Sequence, residues 1–216
     1  MDKLKTYLKH PLSFVLLILI GLASIITVAS IIFIIIYILV NGIPNLTTDL
    51  FSLHYNSKNQ SMLPSIFNTV FITFLTLLIA VPIGIFSAVY LVEYAKKGSK
   101  LVKVIRVTTE TLAGIPSIVF GLFGFLAFVI ALGWGYSMIA GVLTLVMMVL
   151  PTIIRTTEEA LLAVPNSYRE GSFGLGAGKI RTIFKIIVPT AIPGILSGVI
   201  LAIGRIVGET AALIYT

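Results

Sequence analysis

The 216-residue chain contains no cysteine, which removes disulfides, thiolate metal sites and cysteine-based redox chemistry. Charge is scarce as well. Asp, Glu, Lys and Arg make up 11% of the residues against 58% hydrophobic, where a water-soluble domain carries about 25% charged residues. That poverty excludes a solvated globule. Also missing is the alternation of polar and apolar residues in short strands that a transmembrane barrel needs, and neither repeats nor low-complexity tracts occur. The two histidines, His10 and His54, sit in polar flanks without metal-ligand spacing and read as solvated side chains. No nucleophile, base and acid stand in a catalytic arrangement.

What the chain does have is apolar length. Five blocks, at about 12–40, 64–92, 109–132, 138–154 and 188–214, approach or exceed the ~20 helical residues that cross a hydrocarbon core. In lipid only helices and closed barrels satisfy their own backbone, so the expectation is an all-α polytopic membrane protein with five spans. The first block follows a basic start, as a signal peptide does. At roughly 29 residues it far exceeds a signal core of about 7–15 and has no convincing cleavage site, so it reads as a retained span.

Net charge is +7, an excess that in a soluble domain raises the question of nucleic acid. Here the positive residues lie in loops. Lys3, Lys5 and Lys9 precede the first block; Lys96, Lys97, Lys100, Lys103 and Arg106 lie between the second and third. Arg155, Arg169, Lys179, Arg181 and Lys185 lie between the fourth and fifth. Residues 41–63 carry only Asp49 and Lys58, and residues 133–137 carry no charge. Basic loops face the cytoplasm, so the N-terminus and the 155–187 loop are expected inside, and no nucleic-acid partner is implied.

Small and polar residues recur at three- and four-residue spacing in two blocks. The second has Thr69, Thr73, Thr76, Ala80, Gly84 and Ser87; the third has Glu110, Gly114, Ser117, Gly121 and Gly124. Such faces let membrane helices approach closely or line a polar path. The first block has no such face and is expected at the periphery. In the third block, Pro116 removes the hydrogen bond to Leu112 and kinks the helix. The freed carbonyl and the Ser117 hydroxyl suit either a polar path or a packed kink, and chemistry alone leaves both open.

The fifth block carries Arg205 and Glu209, four apart and so on one helical face, with Gly194 and Gly198 near whole turns upstream. An unpaired Arg at mid-membrane costs at least ~2.5 kcal/mol, so partial neutralisation by Glu209 is expected. The pair is either structural or part of an anion path or gate; charges inside a span default to function, which favours the second. Glu110 has Arg106 one turn away, and a surface pair accounts for it. Gly174-Leu175-Gly176-Ala177-Gly178-Lys179 fails as a phosphate loop. Phe173 stands where glycine is needed, Ile180 where Ser or Thr is needed, and no strand precedes it.

Between the fourth and fifth blocks, Glu170-Gly171-Ser172 is followed four residues on by Gly176, and ten further by Ile186-Ile187-Val188-Pro189. This spacing resembles the EAA loop of ABC-importer permeases, with Gly171 and Ser172 for two alanines and Val188 for leucine. Gly171 weakens local helicity by ~1 kcal/mol relative to Ala, Gly176 permits a tight turn, and Pro189 helps set the angle at which the loop enters the fifth block. The blander reading is a basic loop with incidental glycines. It does not explain why the motif falls on the cytoplasmic face, where the family places it. Two more runs resemble stretches of phosphate-type permeases: Ala113-Gly114-Ile115-Pro116-Ser117-Ile118-Val119-Phe120-Gly121 and Gly204-Arg205-Ile206-Val207-Gly208-Glu209-Thr210-Ala211. Glu158-Glu159-Ala160-Leu161 through Val164-Pro165 supports the same branch. Over about residues 63–216 the chain resembles the PstA-type permeases of phosphate ABC importers.

The resemblance implies an ABC-importer type I transmembrane domain. Residues 1–62 are expected to form a peripheral span and an extracytoplasmic segment, and 63–216 a permease core with its coupling loop at 158–189. A sixth span is implied beyond Thr216, so the chain is expected to be incomplete at its C-terminus. In the family the coupling loop is a short helix-turn-helix seated in a cleft of a separate ATPase. Glu159, Glu170, Gly171, Ser172, Gly176 and Pro189 are expected to serve it, and Pro116, Ser117, Arg205 and Glu209 to lie along the translocation pathway. The resemblance further implies a multi-pass subunit of a prokaryotic cytoplasmic membrane that is no enzyme and binds no cofactor, ATP and Mg residing on the ATPase. Expected partners are a sister permease, two ATPase subunits and an extracytoplasmic phosphate-binding protein, besides the lipid bilayer. Two other readings stand beside it. One is a permease for molybdate or sulfate, since an arginine suits any multivalent oxyanion. The other is an ion-coupled secondary transporter, which calls for inverted repeats with broken helices and no ATPase-docking motif.

Overall fold

The computed structural model describes residues 11–56, 61–96 and 98–216; Lys3, Lys5, Lys9, His10, Lys58 and Lys97 lie outside them. The described residues are helical or irregular, with no strand among them. The chain divides into two compact units, Met1–Pro64 and Ser65–Thr216.

In the first unit, α1 (Pro11–Gly42) is a 32-residue helix. At 1.5 Å per residue it is long enough to span a bilayer with some tilt. Its few polar groups are satisfied internally: Ser24, Thr27 and Ser30 each donate to the carbonyl four residues back, at 2.8 Å. Lipid therefore meets no orphaned hydroxyl at these three positions. Pro44 then breaks the helical pattern, and 3-10 turns follow at Ile43–Asn45 and Thr48–Phe51.

The second unit is built around one helix. Its elements are α2 (Leu63–Tyr94), α3 (Lys100–Ala113), α4 (Ser117–Ala131), α5 (Met138–Leu162), α6 (Asn166–Gly174) and α7 (Lys179–Val207). A 3-10 turn at Ala212–Ile214 follows. Ser137 caps α5 by accepting from the Ala140 N–H, and α5 supplies many of the fully buried side chains, Leu145, Met148, Val149, Ile153 and Leu161, with Ile183 and Ile187 of α7 buried as deeply. Its neighbours reach it through small residues. A Cβ on Gly84 of α2 would sit 2.5 Å from the Ile153 side chain, and one on Gly194 of α7 would sit 2.6 Å from Ala160. Gly124 of α4 abuts Thr144, and Gly198 of α7 abuts Thr156. The stripe expected on the second block is thus a packing face, with Thr73, Thr76, Ala80 and Gly84 all buried.

The third block is broken at Pro116 and not smoothly kinked. α3 and α4 meet at 104° across Gly114–Pro116. Pro116 has no N–H and excludes α conformation from the residue before it, while Gly114 closes α3 by donating to Thr111 and Leu112. The break therefore replaces a bend. Four helices are long and apolar enough to cross a membrane, and the α3–α4 pair makes a fifth if counted as one span. Other ends shift too. α5 runs on to Leu162, well past 154, with Arg155, Glu158 and Glu159 finding partners at its C-terminal end. α7 begins at Lys179 and passes through a π-helical turn at Ile183–Ile187, where Pro189 cannot donate to the Lys185 carbonyl.

Candidate functional sites: the coupling loop and Arg205

α6 and the start of α7 form a helix-turn-helix. α6 ends in a Schellman turn: Gly176 N–H donates to the Phe173 carbonyl at 2.9 Å and Ala177 N–H to the Ser172 carbonyl at 3.1 Å. Gly176 has φ +81°, the left-handed region that a Cβ disfavours. The two arms are pinned together where the sequence has Ser172. Its buried hydroxyl lies 2.8 Å from that of Thr182, which also bonds the Gly178 carbonyl. The tip projects outward. Leu175 is 91% exposed, and Phe173, Ile180 and Phe184 are exposed beside it. Glu170, Gly171, Gly176 and Pro189 are all exposed, and Lys179 places its ammonium 4.6 Å from the Tyr94 ring centroid.

The base of the loop rests on a contact that composition and spacing did not reveal. Arg169 donates through Nε and Nη2 to Glu93 Oε1, at 3.0 and 2.7 Å. The same guanidinium donates to the Leu161 carbonyl in the last turn of α5 and to the Val164 carbonyl in the turn that follows. The two side chains are only 16% and 11% exposed. One arginine therefore ties α6 to the ends of both α2 and α5. The available signal was Glu93 itself, the only acid between Asp49 and Glu110, set ahead of a run of lysines.

Nearby, Arg106 does not pair with Glu110. It reaches across to Glu158 at 2.5 Å, because Glu158 lies on the α5 face that α3 crosses. Arg155 and Glu159 form an exposed pair at 3.1 Å on α5, so Glu159 stands beside the loop and not within its turn.

The expected Arg205–Glu209 pair is also absent from the ion pairs of the described residues. α7 ends at Val207, and the Gly208 N–H caps it by donating to the Gly204 carbonyl. Glu209 is therefore off the helix, and its Oε1 accepts from the Ala212 N–H at 2.9 Å. Arg205 turns to α5 instead, donating from Nη1 to Thr152 Oγ1 at 3.5 Å. It borders an open cavity of about 610 Å³ with Thr152, Ser197, Ile200, Leu201 and Gly204. The shared face of Gly194, Gly198 and Arg205 does form, against Ala160, Thr156 and Thr152, three successive α5 positions four apart. Pro116 and Ser117 fall at the α3–α4 break, Pro116 exposed and Ser117 half-buried. The run they belong to meets the end of the chain at Gly121, where a Cβ would lie 2.8 Å from the Ala212 carbonyl oxygen.

A membrane-helical core with a projecting, pinned helix-turn-helix defines a class. Residues 80–216 match the binding-protein-dependent transport system inner membrane component family, and the chain belongs to it. Among its relatives is the probable ABC transporter permease protein YqgI of Bacillus subtilis. It is 38% identical over 198 residues, which are 91% of this chain and 67% of the relative. The phosphate transport system permease protein PstA 1 of Mycobacterium tuberculosis is 46% identical over 136 residues, 63% of this chain and 44% of that protein. The chain thus spans 44 to 67% of the length of these relatives. An inward-facing structure of the MetNI methionine ABC transporter shares the fold, with a TM-score of 0.56 and 23% identity over 67% of each chain. The chain is a multi-pass ABC permease subunit of PstA-like sequence, and its relatives are transport subunits.

Proposed function

We propose that this chain is the permease subunit of an ATP-driven importer of inorganic phosphate. It forms the pathway with a sister permease and receives the closure of two ATPase subunits at the α6–α7 turn. The observation that carries the coupling role is that turn, an exposed apolar tip on a base held by Arg169, Ser172 and Thr182. The anion rests on similarity to PstA proteins over 136 residues, and Arg205 beside its cavity is a cation suited to an oxyanion. ATP and Mg belong to the ATPase, and an extracytoplasmic binding protein delivers the anion. Glu170, Gly171 and Gly176 present the docking face, Pro189 and Glu159 flank it, and Pro116, Ser117, Arg205 and Glu209 act on the transport side.

The test is ATPase activity of the complex assembled in proteoliposomes, with and without Gly176→Trp. Phosphate is expected to stimulate hydrolysis and drive uptake. The variant is expected to insert normally yet lose the ATPase; no atom lies within 4 Å of a Cβ at Gly176, and because any side chain at φ +81° strains the turn, Gly176→Ala is the control that separates strain from bulk. Stimulation by sulfate or molybdate alone would reassign the anion. Normal uptake by the variant would remove the coupling role, and uptake without any ATPase would favour a secondary transporter. For orientation, Ser52→Cys is expected to label from outside the membrane and Ser167→Cys from the cytoplasm; labelling from one side would overturn the topology.

A further inference from the structure

α3 differs from every other helix of the second unit in how its surface is divided. Val102, Ile105, Thr109 and Leu112 turn inward, Val102 packing in one cluster with Leu91 and Ile154. The remaining surface is split lengthwise. Leu101, Val104, Thr108 and Thr111, spaced three and four apart, form an exposed flank that is apolar at its N-terminal half. Lys103, Arg106 and Glu110 run along the other flank, with Lys100 and Val107 on the seam between them. Val104 is 63% exposed and Leu101 and Val107 more than half, so the helix leaves a row of aliphatic side chains uncovered directly beside a row of charges.

Its placement accounts for the division. The 104° break turns α3 nearly perpendicular to α4, and its contacts on α5 fall at Leu150, Ile154 and Glu158, towards the C-terminal end of that helix. A helix turned nearly perpendicular to its successor, with one flank aliphatic and the other charged, has the form of an in-plane interfacial helix. The charge is also graded along it. Arg106 is spoken for by Glu158, and Glu110 stands in the cavity lined by Arg155, Glu158 and Glu159. Lys96, Lys100 and Lys103 are exposed and, among the described residues, enter no ion pair. The uncompensated positive charge is thus concentrated at the N-terminal end, next to the aliphatic flank, and lysine stems are long enough to cover that flank while holding the ammonium at headgroup level.

We infer that α3 is a lipid-binding element. Its Leu101–Val104 flank, with Val107 on the seam, beds into the bilayer surface, and Lys96, Lys100 and Lys103 bind anionic phospholipid headgroups there. The occupant is lipid because the two halves of a phospholipid, acyl chain and phosphate, match the two adjacent rows, whereas an acidic protein surface would leave the aliphatic row bare.

The chain has a single tryptophan, Trp134, stacked on Phe128, so Trp134→Phe preserves a ring there and frees the chain for a reporter. Trp134→Phe/Val104→Trp, and separately Trp134→Phe/Leu101→Trp, are reconstituted as the full chain in vesicles of brominated phosphatidylcholine mixed with brominated phosphatidylglycerol. Quenching by either brominated lipid is expected, with phosphatidylglycerol favoured. Lys100→Gln/Lys103→Gln is expected to reduce that preference by about fivefold for each lysine, and raised salt to reduce it likewise. Absence of quenching in both reporters would show the flank covered by protein and overturn the inference. So would quenching equal for the two lipids, or a preference that survives removal of both lysines.

Discussion

α1 and α5 are both long enough to span a membrane, yet they are opposites. α1 is the more hydrophobic, with mean hydropathy 2.9 against 2.1, and within its own unit not one of its described side chains is buried, while α5 contributes more buried residues than any other helix. In water the ranking would be reversed. In lipid the surroundings are as apolar as leucine, so hydropathy carries a segment into the bilayer without choosing its neighbours. Within its own unit α5 has a set of partners that present glycine, and within its own unit α1 has none. Gly84, Gly124, Gly194 and Gly198 bring three other helices against it, and close approach supplies the dispersion contacts that drive association there. A methyl group added at Gly21 or Gly42 of α1 would meet no atom within 4 Å.

The comparison breaks most sharply where a charge is involved. Glu93→Gln leaves Arg169 with its carbonyl contacts but no counter-charge in a site that is 16% exposed, and is expected to destabilise the loop base by about 3 kcal/mol. Protease nicking of the α6–α7 turn in membranes is the readout; resistance equal to wild type would mean that the pair holds nothing. Next in size is Gly198→Ala, whose methyl group collides with Thr156 and is expected to cost about 1–3 kcal/mol by overpacking. Gly21→Ala in α1 is expected to be neutral or slightly stabilising. Unfolding in mixed micelles compares the two, and equal effects would refute the claim that glycine faces organise the core.

The smallest effects on stability belong to Arg205 and Glu209. Glu209→Gln keeps an acceptor for the Ala212 N–H and is expected to change stability by less than about 0.5 kcal/mol. Arg205→Gln loses one long hydrogen bond, about 0.5–1 kcal/mol, but is expected to abolish uptake per assembled complex. Because the two side chains are not paired, the double variant is expected to show the sum of the single effects. Recovery of assembly in the double variant would show that they pair after all.

The parts that were legible in the sequence were the local ones. The spans follow from apolar length, the α6–α7 turn from Gly176 at its spacing, and the packing stripe of α2 from its threonines and glycine. What escaped depends on where helices stop or on residues far apart. Arg205 and Glu209 share a face only if the helix continues, and it ends at Val207. A proline says that a hydrogen bond is missing, but whether the chain bends or turns through 104° depends on the neighbouring Gly114 and on what α3 finds to pack against. Arg169 and Glu93 are 76 positions apart, and no helical period relates them.

The hydroxyl link between Ser172 and Thr182 and the guanidinium link between Arg169 and Glu93 sit at different heights on the same nine-residue helix. A load applied at Leu175 therefore has two routes out of α6. One passes through Thr182 into the start of α7, the other through Glu93 into the end of α2. Both of those helices approach α5 most closely at glycines, Gly84 on α2 and Gly194 and Gly198 on α7, with buried side chains packed on either side. Under the proposed coupling role, the loop is the short arm of a lever with two attached rods, and α5 is the body they are mounted on.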